Sequence, residues 1–258
     1  MRSDNSRTEA AVYTYSTEVR WFFSGVLGEG QALLVWFCRP LHNYDRRPEE
    51  LLVLESEDPA NPRIDEYLVL PGTITAGPKL RGGDKQSSFE IKALAVPPAS
   101  WRTHDGISGR VDSWTKWSFK HPTLTSLVDP LRQTGRWVRI AKDRWLRKIN
   151  AEGANPAFVV ADAKTYKADH NDPALRRLPN WGCNVELTQI FIDNDRRDPG
   201  KAWYSICLEA FGTDLMRTPA TLDACAKLVF RELGRPPDIE LTERHSLGYP
   251  AWIQNFNK

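Results

Sequence analysis

The sequence predicts an α+β protein in which an antiparallel sheet of eight strands closes, or nearly closes, into a barrel with helices packed on its exterior. Apolar and polar residues alternate with a period of two in eight separate segments. Several of these segments have charged residues on one face and bulky apolar residues on the other. Two charged rows continue into an apolar residue, at Phe22 and Leu94, which a face in contact with water does not need. A barrel with a polar interior and a helix-covered exterior accounts for these observations.

The eight strand segments follow one another with few helices between them. This arrangement favours antiparallel connections over a doubly wound α/β fold. Gly82, Gly83 and Asp84 form a break that is typical of a hairpin turn. Pro97 and Pro98 predict an interruption after the fourth strand. The predicted strands are 16–23, 63–70, 77–83, 87–96, 110–119, 136–149, 184–192 and 202–212.

Three helices are predicted. The apolar run within 28–40 is closed by Pro40 and indicates a short helix. The clearest helix is 219–233, which begins with a proline and is followed by Gly234, and a third is expected at 124–133. The remaining predictions are a loop over 41–62 with one possible strand at 50–55, a long excursion over 150–180 with one helical turn, and an aromatic segment, 245–256, docked on the barrel exterior.

The composition is that of an ordinary globular protein. No shift in composition divides the 258 residues, so we expect a single domain over 1–258, with 1–13 as a disordered lead-in. The net charge of +2 does not support a general nucleic-acid or membrane surface. The N-terminus is polar and no apolar run reaches about 18 residues, which predicts a cytoplasmic protein. The four scattered cysteines indicate neither a zinc knuckle nor a disulfide framework, and the oligomeric state stays open.

Charged residues recur at positions i and i+2 on the predicted strands. One such pair is most simply a solvated face, and a plain β-sandwich or half-open sheet remains an alternative. A closed barrel requires negative charge to compensate its cations, because two like charges about 8 Å apart repel by roughly 2 kcal/mol at an effective dielectric of 20. Its interior would hold carboxylates and a bound polyanion. The pairs are Glu18/Arg20, Lys79/Arg81, Glu90/Lys92, Lys142/Arg144 and, more weakly, Trp114/Lys116, Asn184/Glu186 and Cys207/Glu209, and Arg63 or Asp65 could complete the wall.

The order of these motifs resembles the CYTH family, also called triphosphate tunnel metalloenzymes. The matching stretches lie within 17–212 and are Glu18-Val19-Arg20, Lys79-Leu80-Arg81, Glu90-Ile91-Lys92, Lys142-Asp143-Arg144 and Leu208-Glu209-Ala210-Phe211-Gly212. The resemblance implies an eight-stranded antiparallel tunnel whose lysines and arginines bind a triphosphate. It also implies that glutamates hold Mg²⁺ or Mn²⁺, which activates water for the hydrolysis of inorganic or organic triphosphates, or supports the cyclisation of ATP.

Carried over residue by residue, the resemblance assigns a role to ten positions. Two departures bear on the metal, because Ser16 and Cys207 stand where the family has glutamates. Arg20 also stands in place of a lysine and is a poorer group for proton transfer. A non-enzymatic polyphosphate-binding protein is therefore the alternative to a metal-dependent triphosphatase. The implied roles are catalysis for Glu18 and Glu209, metal binding for Glu18, Glu186 and Glu209, and substrate binding for Arg20, Lys79, Arg81, Lys92, Lys116, Lys142 and Arg144.

Overall fold

A computed structural model describes residues 12–28, 31–41, 53–54, 63–82, 88–119, 130, 133, 136–159, 180–193 and 198–256. The strands and α-helices with described bounds are, in chain order, β1 (Val12–Ser24), α1 (Ala32–Cys38), β2 (Val53–Leu54), β3 (Arg63–Val69), β4 (Ala76–Arg81), β5 (Ser88–Arg102), β6 (Ser108–Phe119), β7 (Arg136–Asn150), β8 (Ala157–Phe158), β9 (Gly182–Ile192), β10 (Ala202–Gly212), α2 (Thr218–Leu233) and α3 (Tyr249–Ile253). Short 3₁₀ turns lie at Pro199–Lys201, Glu243–His245 and Gln254–Phe256.

Eight of the strands form a closed antiparallel barrel. Their order around the barrel is β7-β3-β4-β5-β6-β1-β10-β9, and β9 pairs again with β7. These are the eight strands that the alternation predicts, so the predicted fold class is confirmed. The two-residue strands β2 and β8 pair with the second half of β7. None of the helices within the described ranges combines the length and apolar content that crossing a membrane requires.

Helices cover the outer face of β1, β9 and β10. Successive side chains of a strand point to opposite faces, so Val19, Trp21 and Ile206 leave the barrel on its outer side. There they pack with Phe37 of α1 and Leu222 of α2 in one buried cluster. Burying each such side chain stabilises the fold by roughly 1.5–3 kcal/mol. This packing fixes which face of each strand is outside and directs the alternate, charged residues into the barrel.

Both helices that can be compared with their predictions are confirmed. α1 lies within 28–40, and α2 begins one residue before 219. α2 ends before Gly234, whose φ of 67° favours glycine and whose N–H donates to the Phe230 carbonyl. The predicted helix at 124–133 lies outside the described residues except for 130 and 133, which are helical. Most of the predicted loop 41–62 and excursion 150–180 also lies outside them, although β2 falls on the strand predicted at 50–55.

The predicted interruption at Pro97 and Pro98 is wrong, because β5 continues through both prolines. The pairing of β5 with β6 shifts register between Leu94 and Val96 and again between Val96 and Ala99. Such β-bulges leave residues outside the regular ladder of hydrogen bonds. They therefore accommodate prolines, which have no N–H to donate.

The segment 245–256 enters the barrel wall and one end of the barrel, so its predicted position on the exterior is wrong. β1 pairs with β6 only as far as Val19. Beyond this point the chain at 246–248 runs beside β1, where the Leu247 N–H donates to the Arg20 carbonyl over 3.1 Å. The segment therefore continues the wall where two neighbouring strands separate.

α3 fills the adjoining end of the barrel with apolar side chains. Trp252 is 1% exposed and stacks on Phe22 with ring centroids 4.5 Å apart. The charged row of β1 ends at Phe22, and such a side chain is stabilised only by an apolar partner that excludes water. α3 supplies that partner, which is the physical reason for its position. The buried cluster at this end consists of Phe22, Tyr67, Val69, Val138, Ile140, Ile190, Ile192, Trp252 and Ile253.

Candidate functional site

The barrel interior contains a cavity of roughly 100 Å³ in which all ten predicted site residues meet. Eight other described residues also line it. The roles predicted for the ten residues stay predictions, but their convergence is a property of the fold. The predicted residues are Glu18, Arg20, Lys79, Arg81, Lys92, Lys116, Lys142, Arg144, Glu186 and Glu209, and the others are Arg63, Tyr67, Gly77, Glu90, Trp114, Thr188, Tyr249 and Pro250.

Three of the other lining residues, Arg63, Glu90 and Trp114, stand in the rows that the sequence predicts for the inner face. Tyr67 and Thr188 were assigned no role, although each lies an even number of residues from a charged lining residue on the same strand. The period-2 rule places both on the inner face. Tyr249 and Pro250 belong to α3 and not to a barrel strand, so the rule could not reach them.

Asp65 is the centre of the first cationic cluster. Its side chain is fully buried, and its Oδ2 accepts hydrogen bonds from Lys142 Nζ at 2.9 Å and Lys79 Nζ at 3.2 Å. Arg63 Nε lies 3.5 Å from Oδ1. Burial alone would raise the pKa of Asp65, but Arg63 and the two lysines hold it well below its usual value. Lys142 Nζ also donates to the Tyr67 hydroxyl at 2.7 Å.

Glu90 is the centre of the second cationic cluster. Its Oε2 lies 3.3 Å from Lys79 Nζ and 3.2 Å from Arg81, and its Oε1 lies 3.3 Å from Lys116 Nζ. Burial opposes ionisation, yet these three cations hold the pKa of Glu90 well below its usual value. Burial also lowers the pKa of Lys79 to about 8, against the raising effect of Asp65 and Glu90. Lys79 therefore joins the first cluster to the second.

Glu186 is the centre of the third cationic cluster. Arg20 lies 3.2 Å from Oε2, and Arg144 lies 3.1 Å from Oε1. Burial would raise the pKa of Glu186, but the two guanidinium groups lower it to about 2. We call Asp65, Glu90 and Glu186, with the cations Arg20, Arg63, Lys79, Arg81, Lys116, Lys142 and Arg144, the basic wall.

Where β1 pairs with its two neighbouring strands, carboxylates outnumber cations. Glu18 lies opposite Glu209 of β10 and opposite Asp112 of β6. Lys92 Nζ reaches both glutamates, at 3.0 Å from Glu18 Oε2 and 2.7 Å from Glu209 Oε1. Burial and the nearby Glu18 raise the pKa of Asp112 to about 7, although Arg110 lies 3.6 Å away. We call Glu18, Asp112 and Glu209 the acidic corner.

The segment 245–256 contacts both regions of the cavity. The Tyr249 ring stacks on Tyr67 with centroids 5.3 Å apart, and Lys142 Nζ lies 4.0 Å from its centroid. This contact places a cation against an aromatic face. Gly248 packs so closely against Asp112 that a Cβ would lie 2.6 Å from the carboxylate Oδ2. Only glycine fits there without displacing the carboxylate.

The donors do not fit the metal site that the family resemblance implies. Glu186 is held by two arginines, while Glu18 and Glu209 share one ammonium group. Ser16 and Cys207 supply no carboxylate, and burial keeps the pKa of the Cys207 thiol well above its usual value. Within the described ranges, no group of three or more His, Cys, Asp or Glu side chains could hold a metal ion. Binding of Mg²⁺ or Mn²⁺ by Glu18, Glu186 and Glu209 stays a prediction, and it would require these carboxylates to give up their present cations.

Comparisons with known proteins do not assign a family. No family model matches the chain, and no curated protein matches it. Among solved structures, it is similar to a Mimivirus capping enzyme triphosphatase at 8% sequence identity and a TM-score of 0.41, over 87% of this chain and 92% of the other. A likeness at these values defines neither the fold nor the function of this chain.

Proposed function

We propose that this protein binds a triphosphate or another short polyphosphate inside the barrel, with the basic wall holding the phosphate oxygens. The observation that supports this proposal is the convergence of eight cationic side chains on one cavity that only four lining carboxylates share. With the buried Asp65 and Asp112 included, and Arg110 beside Asp112, the described residues around the cavity comprise nine cations and six carboxylates. The motif order that resembles the CYTH family points to the same class of ligand.

A polyphosphate matches this arrangement in both charge and chemistry. Cations held close together in a buried cavity repel one another by roughly 2 kcal/mol for each pair about 8 Å apart. A chain of adjacent phosphates spreads several negative charges over a length that can contact several cations at once. Arginines such as Arg144 offer a planar fork of donors to phosphate oxygens, while lysines such as Lys116 act as point charges.

Hydrolysis of the bound ligand is what the family resemblance adds to this proposal. It assigns catalysis to Glu18 and Glu209 and requires Mg²⁺ or Mn²⁺. Binding without turnover is the second candidate, and one observation favours it. Both glutamates already contact the Lys92 ammonium group, and the third predicted ligand, Glu186, contacts two arginines.

Isothermal titration calorimetry with tripolyphosphate tests the binding proposal. We expect saturable binding that weakens with increasing salt. Arg81→Gln should reduce the affinity by at least about tenfold, since a charge-assisted hydrogen bond contributes about 1.5–3 kcal/mol. Arg81 is suited to this test because its side chain is 34% exposed. When Arg81 is replaced, Glu90 still has Lys79 and Lys116 as cationic partners.

Lys201→Gln is the matched control, because it removes an exposed cation that pairs with Asp193 outside the cavity. It should leave the affinity unchanged. If tripolyphosphate, ATP and pyrophosphate all give no heat of binding, the proposal is wrong. Release of inorganic phosphate from tripolyphosphate with Mg²⁺ or Mn²⁺, abolished by Glu209→Ala, would select the hydrolase over the binding protein.

A further inference from the structure

We infer that the Lys92 ammonium group takes the place of a divalent cation between Glu18 and Glu209, so that the cavity binds its polyphosphate without a metal ion. The inference rests on the proposed function for its ligand. It concerns the acidic corner and not the basic wall. It also opposes the metal dependence that the family resemblance implies.

The geometry around Lys92 is that of a cation shared by two carboxylates. Glu18 and Glu209 lie opposite each other on β1 and β10, and Lys92 approaches them from β5. Its Nζ lies 3.0 Å from one carboxylate and 2.7 Å from the other.

The number of cations around each carboxylate shows which negative charges Lys92 offsets. Asp65 and Glu90 each contact three cations, and Glu186 contacts two. In the acidic corner the ratio is reversed, since two carboxylates share one lysine. Removing the charge of Lys92 would leave Glu18 and Glu209 side by side in a buried site. Two adjacent carboxylates without their shared ammonium group are the kind of donor set that binds Mg²⁺ or Mn²⁺.

A rival arrangement makes the opposite predictions. In it, a bound polyphosphate attracts Lys92 away from the acidic corner, and a metal ion then bridges Glu18, Glu209 and the phosphate. Binding of tripolyphosphate would then require Mg²⁺ or Mn²⁺. Under our inference, Lys92 stays between the carboxylates, and binding with EDTA is at least as tight as with either metal ion, which lowers the negative charge of tripolyphosphate by complexing it.

Mn²⁺ binding, measured by electron paramagnetic resonance, tests the position of Lys92 without any phosphate ligand. The wild-type protein and Lys92→Arg should bind no Mn²⁺ at this site. Lys92→Met has a similar length but no charge, so it should gain one Mn²⁺ per chain. The double variant Lys92→Met with Glu209→Gln should lose that Mn²⁺ again, because one carboxylate is neutral. Lys201→Met is the control for the loss of a lysine elsewhere, and it should bind none.

Calorimetry of the wild-type protein with tripolyphosphate completes the test and does not depend on the folding of any variant. An affinity in EDTA that equals or exceeds the affinity in Mn²⁺ supports the inference. A gain of tenfold or more with Mn²⁺, or Mn²⁺ binding by the wild-type protein as tight as by Lys92→Met, overturns it. If no condition gives binding of tripolyphosphate, the proposed function fails instead, and the Mn²⁺ measurements still decide the position of Lys92.

Discussion

The basic wall and the acidic corner line the same barrel but have opposite ratios of charge. In the basic wall, seven cations surround the three carboxylates Asp65, Glu90 and Glu186. In the acidic corner, Glu18 and Glu209 share Lys92, and the third carboxylate, Asp112, has a pKa raised to about 7 by burial and Glu18. Within the acidic corner the outcome depends on the nearest cation, because burial would raise the pKa of Glu209 as well, but Lys92 at 2.7 Å holds it well below its usual value.

Because of this difference, the two regions favour different partners: one favours an anionic ligand, and the other favours a cation. The basic wall lowers the pKa of its carboxylates and keeps more positive charge than they neutralise, so it favours an anionic ligand. The acidic corner has fewer cations than carboxylates, so it favours a cation that is held firmly in place. A ligand that contacts the first region and not the second would leave the corner unchanged. The loss of one carboxylate should therefore have opposite effects on stability in the two regions.

The largest effect is expected from Asp65→Asn in the basic wall. Asp65 is fully buried and contacts Lys79, Lys142 and Arg63. Removing the charge of Asp65 leaves these cations without their shared carboxylate. Removing one partner of a buried ion pair typically costs about 3–5 kcal/mol. We expect a loss of this size in the free energy of unfolding, measured by urea denaturation with circular dichroism.

The control for this prediction is Asp193→Asn, at an exposed carboxylate 3.5 Å from Lys201. The φ of 56° at Asp193 suits asparagine as well as aspartate, so the backbone is not strained by the change. We expect at most about 1 kcal/mol there, as for other surface ion pairs. Equal losses from the two variants would mean that the basic wall does not depend on its buried carboxylate.

The opposite sign is expected from Asp112→Asn in the acidic corner. The folded protein raises the pKa of Asp112 to about 7, because of burial and Glu18. The folded state therefore holds a proton that the unfolded chain releases at lower pH, and stability falls as the pH rises from about 4 to 7. Asparagine stays neutral at every pH. At pH 8 the variant should be more stable than the wild-type protein by up to about 4 kcal/mol, since each unit of pKa difference corresponds to about 1.4 kcal/mol.

The pH dependence of this difference is the sharper measurement. The gain from Asp112→Asn should disappear at pH 4, where the wild-type carboxyl is protonated in the folded state. Thermal unfolding of both proteins at pH 4, 6 and 8 measures it. A variant that is less stable at pH 8 would show that the ionised Asp112 is stabilised by its surroundings, and that the acidic corner is not short of cations.

Much of this contrast could be predicted from the sequence, because the side of a strand that a residue faces is a local property. Glu18 and Arg20, or Lys142 and Arg144, need only the period of two to be placed on one face. All ten predicted residues line the cavity for this reason. The same rule applied further along β6 from Lys116 reaches Asp112, which was missed because it stands outside a charged pair.

The partners of these charges could not be predicted, because they depend on contacts between distant strands. Which carboxylate Lys92 would reach depends on the closure of the barrel, which brings β5 near β1 and β10. The position of Tyr249 depends on where β1 and β6 separate, and no pattern in the segment 245–256 indicates this point. The continuation of β5 through its two prolines could not be predicted either, because the position of a β-bulge depends on how β5 pairs with β6.

The smallest predicted effect is a dependence of ligand binding on the ionisation of Lys79 in the basic wall. Burial lowers the pKa of Lys79 to about 8, so it loses its charge as the pH rises through this value. The affinity for tripolyphosphate should fall about fivefold between pH 7 and 9, equivalent to ~1 kcal/mol. The ligand itself becomes more negative over this range, which would strengthen binding, so a fall must come from the protein. Lys79→Arg keeps its charge throughout and should flatten the profile measured by calorimetry. If this variant shows the same fall, another group is responsible, and Lys142, whose pKa burial lowers well below its usual value, is the next to test.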